Sequence, residues 1–127
     1  MSLTATVKSD GSVDLITVQG KTWKMELTVT DNNDNPINIT GWQVRGQIRK
    51  TYKSTEKTAD WVCIITDGAN GKVTVSLPAT TTANIPCGAT INEPASQYVY
   101  DIEAEDTNGD VVELMRGKLF VKYEVTK

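Results

Sequence analysis

The chain has 127 residues, of which 39% are hydrophobic and 23% charged, with a formal net charge of −3 and no histidine. That length suits one domain with its own core, and its dispersed Lys and Arg offer no basic surface to nucleic acid or anionic lipid. Without imidazole the commonest general base, the commonest zinc ligand and every histidine-based triad are gone, so neither an enzyme nor a cofactor is expected.

Residues 1–12, MSLTATVKSDGS, carry few bulky apolar side chains and lack the apolar core of a signal peptide. They read as an N-terminal arm or edge strand, ahead of a single domain over residues 13–127. No apolar run approaches the ~20 residues of a membrane span, and no membrane partner is expected.

From Trp23 onward period-two alternation dominates. Trp23, Met25, Leu27 and Val29 alternate with Lys24, Glu26 and Thr28. The turn-rich Asp31-Asn32-Asn33-Asp34-Asn35-Pro36 follows, and then Trp42, Val44, Gly46 and Ile48 face one way with Gln43, Arg45, Gln47 and Arg49 opposite. Trp61-Val62-Cys63-Ile64-Ile65 is an apolar run that buries Cys63 as a small hydrophobe. After Asp67-Gly68-Ala69-Asn70-Gly71 the alternation resumes with Val73, Val75 and Leu77, and residues 78–85 suit one helical turn across an end of the fold. A longer connection leads from Cys87 to Tyr98, Tyr100, Ile102 and Ala104. The last run, past Asp106-Thr107-Asn108-Gly109-Asp110, places Leu119, Val121, Tyr123 and Val125 inward and Phe120 outward, with a bulge or bend at Gly117. Short alternating strands between tight turns predict an all-β fold, an antiparallel two-sheet β-sandwich of about seven to eight strands. Its core includes Trp23, Leu27, Val44, Ile48, Val75, Tyr100, Ile102 and Val121.

The candidate chemical sites have simpler explanations. Asp31, Asn33 and Asn35 match the first ligand positions of a calcium loop, but Pro36 and Trp42 stand where glycine and the clamping glutamate belong. The loop at Asp106 fails similarly, so turns are expected instead of metal sites. Asn38-Ile39-Thr40 is a glycosylation sequon that also serves to lead the chain into a strand. Asp101, Glu103 and Glu105 lie on one side of a strand, the pattern of a solvated face. Cys63 and Cys87 lack metal or redox spacing, and free thiols are expected. By alternation Trp23, Trp42 and Trp61 pack inward, leaving Phe120 as the bulky outward residue.

The order of these signals is Gly20-Lys21-Thr22-Trp23, Asp31…Asn35-Pro36…Thr40-Gly41-Trp42 and Gln47-Ile48-Arg49, then Gly71-Lys72-Val73…Leu77, Tyr98-Val99-Tyr100-Asp101 and Leu114-Met115-Arg116-Gly117. From about Gly20 it resembles small immunoglobulin-like β-sandwich proteins of tailed bacteriophages, some of them N-terminal domains of baseplate or receptor-binding proteins. Lys21 departs from the acidic residue usual there, and the insert before Tyr98 is longer. The resemblance implies a non-enzymatic virion structural protein, assembled in the host bacterial cytoplasm: an adaptor or accessory of tail, baseplate or neck. It further implies that other virion proteins are its partners, in a homo-oligomer or repeated array. A capsid decoration protein, or a module binding host-surface carbohydrate, is the alternative. Contacts are expected through the arm, with Leu3 and Val7, and through the long loop, with Cys87, Asn92, Glu93 and Pro94.

Overall fold

The structure, a computed structural model, describes residues 2–7 as backbone, 12–87 and 95–124. Among them nine strands form two sheets: β1 (Ser2–Val7), β2 (Leu15–Val18), β3 (Trp23–Val29), β4 (Gln43–Arg49), β5 (Ala59–Asp60), β6 (Val62–Asp67), β7 (Lys72–Leu77), β8 (Ala95–Glu105) and β9 (Val111–Lys122). Sheet I has the order β1-β3-β7-β6 and sheet II the order β2-β9-β8-β4-β5. The fold is all-β. The count exceeds expectation because the N-terminal region contributes both β1 and β2, and because Ala59–Asp60 pairs briefly with β4 before the chain crosses to sheet I. Most pairings are antiparallel, but β1 runs parallel to β3 and β2 parallel to β9.

The alternation places its residues largely as read. Met25, Leu27, Val73, Val75 and Leu77 of sheet I and Ile48, Tyr100, Ile102, Ala104, Leu119 and Val121 of sheet II join one buried cluster. Each fully buried aliphatic side chain in it contributes about 1.5–3 kcal/mol relative to exposure. Trp23, Trp42 and Val44 are only partly buried, packed against that cluster. Three aromatics order its centre: Trp61 meets Trp23 edge-on at 5.3 Å between ring centroids, and Tyr100 at 5.6 Å. Gly46 makes room for this, since a Cβ there would stand 2.9 Å from the Trp61 ring and 2.5 Å from the Asp101 carbonyl.

Residues 79–83 form the short helix α1 (Ala79–Ala83). Its buried Thr82 donates through Oγ1 to the Lys21 carbonyl at 2.8 Å, tying the helix to the β2–β3 turn.

Two readings of the last strand need correction. The irregularity of β9 lies at Leu114: the register slips between Ile102/Met115 and Glu103/Glu113, which turns Leu114 and Met115 both inward. Gly117 stays in register with Tyr100 and serves another purpose, because the Val13 carbonyl oxygen would lie 2.0 Å from a Cβ at that position. Tyr123 is 39% exposed, since β9 ends at Lys122 and pairing no longer imposes alternation there; Val125 lies outside the described residues.

Candidate functional site

The two acidic loops share one design. Asp31 Oδ1 accepts the amides of Asn33 (2.8 Å) and Asn35 (3.0 Å), and Asp106 Oδ1 accepts those of Asn108 (2.9 Å) and Asp110 (3.0 Å). The fourth residue of each, Asp34 and Gly109, has φ of 62° and 86°. These are side-chain-stabilised turns, and among the described residues no His, Cys, Asp and Glu groups converge as a metal site. The sequon is likewise folded on itself, with Asn38 Oδ1 accepting the Thr40 amide and hydroxyl.

Of the expected contact residues, Asn92, Glu93 and Pro94 lie outside the described residues, and so do the side chains of Leu3 and Val7; their backbone belongs to β1. Cys87 is described and is not a surface side chain. It is 7% exposed, and its thiol donates to the Val121 carbonyl at 2.8 Å, anchoring the start of the long loop to β9. Tyr98 adds to this anchor by donating its hydroxyl to the Pro86 carbonyl. Cys63 is half-buried and also a free thiol, its pKa pushed up to about 11 by burial.

Two surfaces remain that alternation did not reveal. The first is β6, at an edge of sheet I. Its inward residues Cys63 and Ile65 pack on the core, but its outward residues are also apolar: Val62 is 40% and Ile64 58% exposed. Natural edge strands are usually blunted by lysine, proline or brevity. Val62-Cys63-Ile64-Ile65 has none of these, and only the irregularity near Thr66 twists it. Beside it an open hollow of about 500 Å³ reaches Trp42, Val44, Cys63 and Ile65, so exposed edge and half-covered aromatic are continuous. By contrast β5, an edge of sheet II, has two residues, and its Asp60 is ion-paired with Lys57.

The second surface is the outer face of sheet II. Arg45 on β4 donates to Glu103 at 2.7 Å and to Glu105 at 3.3 Å across β8, which raises its own pKa, Glu103 foremost. Two of the three carboxylates that read as a solvated row, Glu103 and Glu105, therefore share one guanidinium from the neighbouring strand. Asp101, opposite Arg116 in the ladder, has its pKa raised by lost hydration and by Glu103, with Arg116 and Arg49 opposing. The connection from β4 to β5 folds back over this face because Arg49 Nη1 donates to the Ser54 carbonyl at 2.5 Å. It carries Tyr52, 60% exposed, with the Arg116 guanidinium 5.0 Å from its ring centroid. Phe120, the expected outward aromatic, is half-buried.

Comparison with models of protein families and with curated proteins finds no match for this chain.

Proposed function

We propose that the protein is a non-enzymatic structural component of a tailed-phage virion, an adaptor or accessory of tail, baseplate or neck that works by protein–protein contact. The observation that carries this reading is the β6 edge. An unblunted edge with Val62 and Ile64 outward has backbone donors and acceptors to extend a neighbour's sheet, and apolar side chains that gain by being covered. Val62 is 40% and Ile64 58% exposed, so covering them contributes about half of the roughly 1.5–3 kcal/mol of full burial each before the cost of association, a modest contact that repetition strengthens.

The strand orders support an immunoglobulin-like sandwich as the scaffold. Sheet I follows the order A-B-E-D of that fold, and β9-β8-β4-β5 follows G-F-C-C′, with β2 as a first-strand partner beside β9. The parallel course of β1 against β3 departs from it. The phage assignment itself rests on the order of sequence signals from Gly20 to Gly117.

Antibody labelling of purified particles tests the assignment. Label on the tail, baseplate or neck is expected. Label on the head would make the protein a capsid decoration instead, and its absence from particles would overturn the virion reading.

A further inference from the structure

The groove under Tyr52 has a composition that edge pairing does not require. It encloses about 380 Å³, near the lower end of small-molecule sites at about 300–1,000 Å³. Its lining includes Val99, an outward residue of β8 that is nonetheless 8% exposed, and the exposed ring of Tyr52 belongs to the same lining. Gln47, Arg49 and Asp101 supply polar groups.

Three features define what would fit. Its donors are held in place: Arg49 is fixed by Gln47 Oε1 at 2.8 Å and by the Ser54 carbonyl, and Arg45 by Glu103. Groups held this way lose little entropy on binding. Second, the charges balance locally. Glu103 is matched by Arg45 and Asp60 by Lys57 at 2.8 Å, and Asp101 faces Arg116 and Arg49. A phosphate or other anion would meet three carboxylates, Asp60, Asp101 and Glu103, in the same lining. Third, an exposed aromatic ring stands beside a carboxylate, an amide and a guanidinium. That combination suits a ligand with one apolar face and a rim of hydroxyls.

We propose that this groove binds a neutral saccharide, a pyranose seated against Tyr52 with hydroxyls bonded to Asp101, Gln47 and Arg49. The proposal is independent of the β6 reading, since the two surfaces belong to different sheets.

The test is two-dimensional amide NMR of the intact chain with methyl glucoside, methyl galactoside, N-acetylglucosamine and rhamnose at millimolar concentrations, with inorganic phosphate as a separate probe. Saturating shifts confined to Gln47, Arg49, Tyr52, Val99 and Asp101 are expected with at least one sugar. Tyr52→Ala and Asp101→Asn, both at exposed positions, should weaken that binding by about tenfold or more while leaving the remaining spectrum in place. No saturating shift with any of the four sugars overturns the proposal. So do equal affinity in Tyr52→Ala, or saturation by phosphate at Arg45 and Arg49.

Discussion

Replacing Gly117 with alanine puts a methyl group where the chain leading into β2 runs close against β9. The added Cβ would stand 2.0 Å from the Val13 carbonyl oxygen, 2.7 Å from its carbon and 3.0 Å from its nitrogen. All three are backbone atoms, so no side-chain rotation relieves the clash. The backbone at Val13 is also held from two sides: its amide donates to the Arg116 carbonyl at 2.8 Å and its carbonyl accepts the Tyr100 hydroxyl at 2.5 Å. Overpacking of this kind costs about 1–3 kcal/mol. Breaking the two hydrogen bonds adds roughly 0.5–1.5 kcal/mol each. Against this, alanine recovers about 0.5–1 kcal/mol of the backbone entropy that glycine loses in a strand. The net expectation is a loss of about 1–5 kcal/mol, a large share of the ~5–15 kcal/mol that holds a domain of this size. Urea unfolding of Gly117→Ala beside Tyr100→Phe, which removes only the hydroxyl's bond, measures it. Gly109→Ala serves as a control: its Cβ meets nothing within 4 Å, leaving only the strain of φ 86°. A Gly117→Ala protein as stable as the wild type would show that the Val13 backbone does not lie against Gly117 as described.

Trp61→Ala should cost about 3–5 kcal/mol by opening the aromatic centre. Trp61→Phe should stay within about 1.5 kcal/mol, because it keeps much of the ring contact and removes an indole N–H with no partner among the described residues. Burial raises the pKa of Cys63, Tyr98 and Tyr100 in the folded chain. The folded state therefore holds protons that the unfolded chain gives up first, so stability is complete below the ordinary values of 9.0 and 10.0 and falls as pH rises through them. Denaturant midpoints should be level near neutrality and decline in alkali; a midpoint that rose there would refute the burial of these groups. Asp31→Ala should lose about 1 kcal/mol with the two turn bonds. Millimolar calcium should leave the wild-type midpoint unmoved, whereas a ligand at a hundredfold excess over its Kd would add about 2.7 kcal/mol.

The core was legible wherever a strand has one wet face. Met25 to Val29, Val73 to Leu77 and Tyr98 to Ala104 announce their buried side by alternation, because the pleat sends successive side chains to opposite faces. β6 hid its character for the same reason. An edge strand apolar on both faces reads as a buried strand, and only its place in the sheet order shows that Val62 and Ile64 stay partly exposed. Tyr52 lies in a turn-rich connection where no periodicity applies, and its position depends on Arg49 reaching Ser54. Gly117 signalled that something unusual occurs at that point. Whether a glycine in a strand marks a bulge or a close backbone approach depends on a chain segment a hundred residues earlier.

Ile64→Lys tests the central claim most directly. The side chain is 58% exposed, so the charge should change folding stability by less than about 0.5 kcal/mol while placing a lysine in the middle of the open edge. The account predicts an unfolding curve that overlays the wild type, together with loss of the protein from assembled particles when the variant replaces it during phage growth. Incorporation of a well-folded Ile64→Lys protein at full occupancy would contradict it.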